Sequence, residues 1–264
     1  MKKSENPVVN YLDQVTANVI TGNYIRDIQL FSQSLRERVL PNFSTLEVEA
    51  KQLGEALYIN SQNQYEAEAA HEKSKAWFFS MSKIRQSLIN LHSIGLRHLF
   101  EQQIYGLTYD ARIDQPFQRN SANKKDKRPI EEKEKLRYAD FEHDKKLLKE
   151  IGGLVIETLA GWTEITELIC VSNAIKHAEG RSMAKLRKNY PGLLKSSDSL
   201  HDIDPEISAL LASRKNNRVI RNPLAGDDIY LKEQDIKRYA DAIERFWLDF
   251  VVHINKKLEL AIAN

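Results

Sequence analysis

The sequence predicts an all-α fold with one small β-hairpin. Apolar residues recur at helical spacing along most of the 264-residue chain, and one short region has the pattern of paired strands. Apolar residues make up 42% of the chain and charged residues 29%, which is the composition of a globular protein. A chain of this length can form one large helical domain or a domain with an extension.

The N-terminal part of the chain is predicted to be helical and polar. A first helix spans about residues 24–39 and is closed by Pro41. Ser44 and Glu47 have the spacing of a capping box, which would open a second helix that continues to about residue 75. The apolar stripe of this second helix is thin, as in a solvated arm or a narrow packing partner.

A more apolar helix is expected over about residues 77–107. Polar and charged residues then dominate residues 110–137, where prolines interrupt the helical pattern. Such a segment buries too little apolar surface to offset the entropy of ordering, so we expect a flexible charged insertion there. The predicted division is an N-terminal helical extension, residues 1–75, followed by a helical domain, residues 76–264.

Four helices and the hairpin are predicted in the C-terminal half, and one of the four is a short helix that starts at Asp204, with Pro205 at its first position. One helix follows Phe141 and ends at Gly152-Gly153, and the next spans residues 154–177. Residues 218–221 and 228–231 flank a turn-forming segment and are predicted to be the two strands of the hairpin. The last helix has an apolar stripe formed by Ile236, Tyr239, Ile243, Phe246, Trp247, Phe250, Ile254 and Leu258.

Composition and motifs exclude several classes of protein. The net charge of +2 does not by itself indicate a nucleic-acid binder. The sequence has no Gly-rich phosphate loop, no Gly-x-Ser-x-Gly elbow and no strong metal-ligand spacing, so we expect no metal and no cofactor. Cys170, the single cysteine, rules out an internal disulfide and is expected to fill the core. No apolar run is long enough to span a membrane, and the N-terminus has no apolar signal region, so we expect a cytoplasmic protein.

The strongest functional signal is the end of the helix predicted over residues 154–177. Asn173 and His177 are four residues apart, so they share one helical face just before Gly180, which favours a helix end. Lys176 is adjacent to His177 in sequence. Taken alone, His177 is most simply a helix-end histidine that interacts favourably with the helix dipole. An Asn, a Lys and a His together at one helix end are nevertheless unusual for a helix that serves only the core, so they raise the question of a site.

This stretch resembles the signature helix of the HEPN domains, a superfamily named for higher eukaryote and prokaryote nucleotide binding. The matching residues are, in chain order, Trp162, Glu167-Leu168, Asn173, His177 and Gly180. Asn-x-x-x-His alone is a weak signal. The resemblance rests on the order of these residues, followed by a predicted strand and an aromatic helix, and it covers about residues 77–260. It implies that the helices form an antiparallel bundle.

The resemblance also implies a function. It implies a metal-independent endoribonuclease in which two protomers meet at the motif helices, in a setting of bacterial defence or a toxin-antitoxin system. His177 and Asn173 take the positions of catalytic residues, with His177 as base or acid. Ser172 stands where the family has an arginine, and a serine cannot supply a planar cation for the phosphate. The implied protein is therefore a homodimer with a weakened or inactive site, and Ser172→Arg would restore charge stabilisation.

A basic segment follows the motif helix. The sequence contains no acidic residue from Arg181 to Lys195. Such a segment either follows an RNA backbone or is an ordinary basic surface. The candidate RNA contacts are Lys176, Arg181, Lys185, Arg187, Lys188 and Tyr190, with Tyr190 offering a ring for stacking.

Three interpretations remain open from the sequence. The chain is an RNA-directed HEPN-like protein, a non-enzymatic helical module that binds a protein partner through its N-terminal helices, or a structural dimer in which the motif only packs. Expression toxicity that His177→Ala relieves would favour an active ribonuclease. Purification together with nucleic acid would favour an RNA-directed protein over the other two.

Overall fold

The computed structural model describes residues 14–120, 141–177, 180–194 and 229–263, and most of these residues are helical. The α-helices are α1 (Gln14–Val19), α2 (Ile25–Ser34), α3 (Leu46–Ile59), α4 (Gln64–Asn120), α5 (Phe141–Gly152), α6 (Trp162–His177), α7 (Arg181–Asn189) and α8 (Glu233–Ala263). The predicted all-α class is therefore confirmed for this part of the chain.

Helical structure begins before the predicted start at residue 24. A π-helical turn, Ile20–Tyr24, joins α1 to α2. A second π-helical turn, Leu35–Val39, follows α2 and leads into a 3-10 turn at Leu40–Phe43. Pro41 lies in this last turn, just after the helical stretch that it was expected to close.

The predicted capping box at Ser44 and Glu47 is wrong. Thr45 flanks the start of α3, and its hydroxyl hydrogen-bonds the carboxylate of Glu49. The Ser44 hydroxyl donates instead to the carbonyl oxygen of Pro41 at 2.7 Å and closes the preceding turn. A serine next to a tight turn can satisfy a nearby carbonyl in this way rather than cap the following helix.

The second predicted helix is shorter than expected, because a turn separates α3 from α4. At the end of α3, Asn60 donates from Nδ2 to the carbonyl oxygen of Ala56 at 2.6 Å. At the start of α4, Asn63 accepts the backbone N–H of Glu66 at 2.9 Å. Side chains therefore satisfy backbone groups that both helix ends leave without helical partners.

Small residues allow α3 and the first part of α4 to pack closely as a helical hairpin, here called the α3–α4 hairpin (residues 46–78). Ala50 and Ala70 are buried. Gly54 lies against Ser74, whose hydroxyl donates to the carbonyl oxygen of Ala50 at 2.5 Å. A Cβ at Gly54 would lie 3.2 Å from the Cβ of Ser74, so a larger side chain would push the two helices apart.

α4 is one continuous helix of 57 residues. It passes through residues 75–77 without a break, so the predicted helix boundary there is wrong. It also continues past residue 110 to Asn120 and includes Pro116. A proline inside a helix removes one backbone hydrogen bond but does not necessarily end the helix. The rest of the predicted insertion, residues 121–137, lies outside the described residues.

The chain divides into two compact units, each assembled from segments that are distant in sequence. Met1–Phe31, Leu96–Thr166 and Arg238–Asn264 form the first unit, and Ser32–Gly95 and Glu167–Lys237 form the second. This division differs from the predicted domains, residues 1–75 and 76–264, which stay a prediction.

The first unit has an aromatic core. Phe100, Phe246 and Trp247 are fully buried, and the rings of Phe100 and Phe246 meet edge to face with centroids 5.1 Å apart. Trp247 donates from Nε1 to Oε1 of Gln103 at 2.8 Å, and Gln103 donates from Nε2 to the carbonyl oxygen of Tyr24 at 3.0 Å. The polar atom of the buried tryptophan is therefore satisfied.

The prediction for the last helix is confirmed by α8. The predicted apolar stripe is buried at Ile236, Tyr239, Ile243, Phe246, Trp247, Phe250 and Ile254. The side chain of Leu258, the last predicted member, lies outside the described residues.

The helix predicted over residues 154–177 begins only at Trp162. α5 ends at Gly152, as expected. Gly161 explains the late start of α6, because its φ of 79° is left-handed and a Cβ there would lie 2.2 Å from the carbonyl oxygen of Ala242 on α8. Only glycine combines this backbone conformation with so close an approach.

In the second unit, α4 holds the segment that precedes α8. Asn90 is fully buried and donates from Nδ2 to the carbonyl oxygen of Ile229 at 3.1 Å. Gln86, one turn earlier, donates to the carbonyl oxygen of Leu231 at 2.8 Å. Two amide side chains thus satisfy the carbonyl groups of a buried extended segment.

The predicted β-hairpin stays a prediction. Ile229 forms an isolated antiparallel bridge with Leu194, which lies on neither predicted strand. The other predicted strand, residues 218–221, lies outside the described residues, as does the whole of residues 195–228.

Candidate nucleic-acid interface

From Glu167 to Ile175, α6 is buried on almost every side. Its buried residues are Glu167, Leu168, Cys170, Val171, Ser172, Ala174 and Ile175. Asn173 is half-buried, while Lys176 and His177 are exposed. The predicted pairing of Asn173 and His177 on one face therefore corresponds to the more accessible side of this helix.

Ser172, at the position where the resemblance implies an arginine, lies in the core of the second unit. Its side chain is fully buried, and its hydroxyl donates to the carbonyl oxygen of Ser93 on α4 at 3.3 Å. An arginine side chain starting here would meet packed protein rather than solvent. The expectation that Ser172→Arg would restore a phosphate-binding cation therefore conflicts with this burial, because a buried guanidinium without partners costs several kcal/mol, about 3–5 by analogy with broken buried ion pairs.

Cys170 fills the core, as the sequence predicts. It is buried, and its thiol donates to the carbonyl oxygen of Ser182 on α7 at 3.3 Å. Burial raises the pKa of this thiol, while nearby Lys185 lowers it and Glu167 raises it. A thiol with a raised pKa forms less thiolate and is correspondingly unreactive.

Two apolar residues of α7 are buried within the second unit. Met183 and Leu186 are buried, whereas most of the other side chains of α7 are exposed. Gly180, which precedes the helix, has a φ of 128° and redirects the chain into α7. The expected helix end before Gly180 fits α6, which ends at His177.

Three of the predicted basic residues share the outward side of α7. At about 100° per residue, Arg181, Lys185 and Lys188 fall within about 60° of one another and opposite Met183 and Leu186. All three are exposed. Within the described parts of the chain, none of these three cations has a carboxylate partner within ion-pair distance. We call these three residues the α7 cationic face.

The other predicted RNA contacts do not belong to this face. Arg187 is exposed but lies nearer to the buried side of α7. Tyr190 is half-buried, so its ring is not a freely presented stacking surface. Lys176 is exposed at the end of a different helix, α6. The sequence placed these residues in or beside one basic segment, but it did not show which of them would share an exposed side of α7.

The exposed cations of α7 can make electrostatic contacts with anions such as phosphates. His177 is exposed at a helix end, and Ser172 supplies no cation beside it. Cleavage of RNA requires both a base or acid and donors for the charge that develops on the phosphate. Among the residues that the structure describes, no cluster of three or more His, Cys, Asp or Glu side chains is arranged to hold a metal ion.

The sequence did not single out a second exposed surface, on the α3–α4 hairpin. Large apolar or aromatic side chains are exposed there, by 56% at Val48, 63% at Tyr58, 79% at Ile59 and 81% at Tyr65. Three of these four flank the turn between the helices. The thin apolar stripe predicted for this region was the available signal, but it did not reveal which apolar residues would remain outside the core.

Comparison with known proteins gives no assignment. No family model, curated protein or solved structure matches this chain. Over the described ranges of the chain, no helix combines the length and the apolar character needed to cross a bilayer.

Proposed function

We propose that this protein is an RNA-binding, HEPN-like protein whose site does not cleave RNA. The observation that supports binding most directly is the α7 cationic face, which presents three exposed cations without carboxylate partners among the described residues. A polyanion gains most from such a surface, because each neutralised phosphate releases condensed counterions. Lys176 and His177, both exposed at the end of α6, extend the basic character of the same segment.

Ser172 is the reason that we expect no catalysis. The motif position that would carry the phosphate-binding arginine holds a buried serine bonded to Ser93. Removing one donor of developing charge typically costs about 3 kcal/mol, or a factor of about one hundred in rate. His177 and Asn173 then remain as polar residues at the end of α6 rather than as an effective catalytic pair.

A binding experiment tests the proposal. Fluorescence anisotropy with a labelled mixed-sequence RNA should give saturable binding at 50 mM salt. The triple variant Arg181→Gln, Lys185→Gln, Lys188→Gln should lose about a hundredfold in affinity, because three phosphate contacts disappear. Lys51→Gln, Lys73→Gln, Lys75→Gln is the matched control, since it removes three positive charges from the exposed surface of the α3–α4 hairpin. Equal affinities of the two triple variants would contradict the proposal.

A second experiment tests for catalysis. The bound RNA should remain intact over hours, and expression of the wild-type chain should slow host growth no more than expression of His177→Ala. Cleavage or toxicity that His177→Ala abolishes would show an active ribonuclease in the setting of defence or toxin-antitoxin function that the resemblance implies.

The exposed apolar and aromatic side chains of the α3–α4 hairpin favour a second candidate function, that of a protein-interaction module. Tyr58, Ile59 and Tyr65 expose apolar and aromatic side chains beside one turn, and such side chains gathered on one surface are typical of interaction sites. Under this function, Ile59→Ser together with Tyr65→Ser should abolish binding of a specific protein partner and leave the thermal unfolding temperature and RNA affinity unchanged. Retained partner binding by this variant would contradict an interaction through the hairpin.

A further inference from the structure

We propose that the α7 cationic face recognises the sugar-phosphate backbone alone, contacts three phosphates within a run of about four on one strand, and accepts RNA and DNA equally. This inference rests on the proposed nucleic-acid binding. It adds the chemical group that is recognised, the size of the contact and the absence of discrimination between the two sugars.

The length of the face sets the number of phosphates. Arg181 and Lys188 are seven residues apart on one helix, which corresponds to an axial distance of about 10 Å at a rise of about 1.5 Å per residue. A nucleic-acid strand presents one phosphate for about every 3.4 Å of duplex axis. A span of about 10 Å covers about three such intervals, or four successive phosphates, so the three cations can contact three phosphates within this run.

The composition of the face leaves no means of reading a base. Proteins that bind single strands usually stack bases on exposed aromatic rings, and α7 contains no aromatic residue. Tyr190, which follows the helix, is half-buried. Within α7, Asn189 is the exposed side-chain amide, and it lies at the helix end, beyond the cationic face. Binding energy therefore comes from charge, which every sequence presents equally.

The same composition explains why the sugar should not matter. Discrimination between RNA and DNA depends on polar groups placed against the ribose 2′-hydroxyl. The α7 cationic face offers ammonium and guanidinium groups, whose strongest partners are the phosphate oxygens. RNA and DNA strands of the same length carry the same phosphates, so they should bind with affinities within about a factor of two.

Salt dependence provides the test. Binding of labelled oligo-uridine and oligo-deoxythymidine, each 20 nucleotides long, would be measured by anisotropy between 50 and 200 mM KCl. Three phosphate contacts on a single strand predict a slope of log K against log salt of about −2, which is about a twentyfold loss of affinity over this range. Each of Arg181→Gln, Lys185→Gln and Lys188→Gln should reduce the magnitude of the slope by about 0.7. Lys73→Gln, on the α3–α4 hairpin, should leave the slope unchanged.

Competition identifies the recognised group. Inorganic polyphosphate should displace the oligonucleotides, whereas polyglutamate of the same total charge should displace them at least tenfold less effectively. Equal competition by polyglutamate, a slope between 0 and −0.7, or a tenfold preference for either oligonucleotide would overturn the backbone inference while leaving nucleic-acid binding in place. Failure of both oligonucleotides and of the mixed-sequence RNA to bind at 50 mM salt would instead contradict the proposed function itself.

Discussion

At the scale of single residues, burial decides what a motif position can do. Ser172 and Asn173 are neighbours on α6, yet Ser172 is fully buried and Asn173 is half-buried. Sequence spacing predicted correctly that Asn173 and His177 share a face. It could not predict the burial of Ser172, because a helix that is apolar on nearly all sides gives no periodic signal for the direction of the core.

The first prediction concerns Ser172. Ser172→Arg should lower the free energy of unfolding by about 3–5 kcal/mol, because the guanidinium would be buried without a charged partner. Ser172→Ala removes one hydrogen bond to Ser93 and should cost about 1 kcal/mol. Denaturant unfolding followed by circular dichroism measures both values. An arginine variant as stable as the alanine variant would mean that position 172 opens to solvent and that a restored cation is feasible.

The second prediction concerns Gly161, where the chain packs closely against Ala242 on α8. Gly161→Ala should destabilise the protein by about 1–3 kcal/mol, because alanine is strained at a φ of 79° and its Cβ would clash with Ala242. Gly22→Ala is the control. Gly22 lies in a helical turn with nothing within 4 Å of its Cβ position, so alanine there should be neutral or stabilising by up to about 1 kcal/mol. Equal thermal unfolding temperatures for the two variants would contradict this explanation of where α6 begins.

At the scale of elements, an ion pair ties α5 to the connection that leads to α6. Lys145 lies 2.8 Å from Glu157 and 3.0 Å from Glu142. Partial burial on its own would lower the pKa of Lys145, but its hydrogen bonds to Glu157 and Glu142 raise that pKa. Partial burial would likewise raise the pKa of Glu157, but the hydrogen bond from Lys145 lowers that pKa.

The third prediction concerns the pH range over which the ion pair between Lys145 and Glu157 stabilises the protein. Since the folded-state pKa of Glu157 is lowered, its contribution to stability is present above the unfolded pKa, about 4.3, and is lost as the pH falls through the folded pKa. The raised pKa of Lys145 keeps the ammonium charged to beyond its usual pKa, about 10.4. Glu157→Gln should therefore lower stability by up to about 1 kcal/mol between about pH 5 and pH 9, and by nothing measurable near pH 2. Glu142→Gln, at a residue that is 74% exposed, should cost less. If Glu157→Gln still lowered the stability at pH 2, the stabilisation by Glu157 would not be ionic.

A helix could be predicted from the sequence where its apolar residues lie on one side only, because that side packs against the core. α8 is such a case, because its apolar stripe from Ile236 to Ile254 is the buried side. The start of α6 could not be predicted, since a glycine inside an apolar run costs only about 1 kcal/mol and its contact with Ala242 is visible only in three dimensions. The turn between α3 and α4 was missed for a related reason. Asn60 and Asn63 satisfy the helix ends, and neither residue interrupts a helical pattern as plainly as proline or glycine.

At the scale of the whole molecule, the resemblance predicts a homodimer formed at the motif helices. Light scattering at micromolar concentration should give about twice the mass of one chain. The substitutions Val48→Ser, Ile59→Ser and Tyr65→Ser should leave that mass unchanged if the protomers meet at α6, and should halve it if they meet at the α3–α4 hairpin. A single-chain mass for the wild-type protein at the highest attainable concentration would contradict dimerisation.

The central claim is that RNA lies on the α7 cationic face. Ultraviolet crosslinking of a 4-thiouridine RNA to the purified protein, followed by mass spectrometry of the digested complex, tests its location directly. We predict crosslinks to residues 181–189, with a yield that falls at least tenfold in the triple variant Arg181→Gln, Lys185→Gln, Lys188→Gln. Crosslinks confined to the α3–α4 hairpin or to α8, with an undiminished yield in that variant, would contradict the claim.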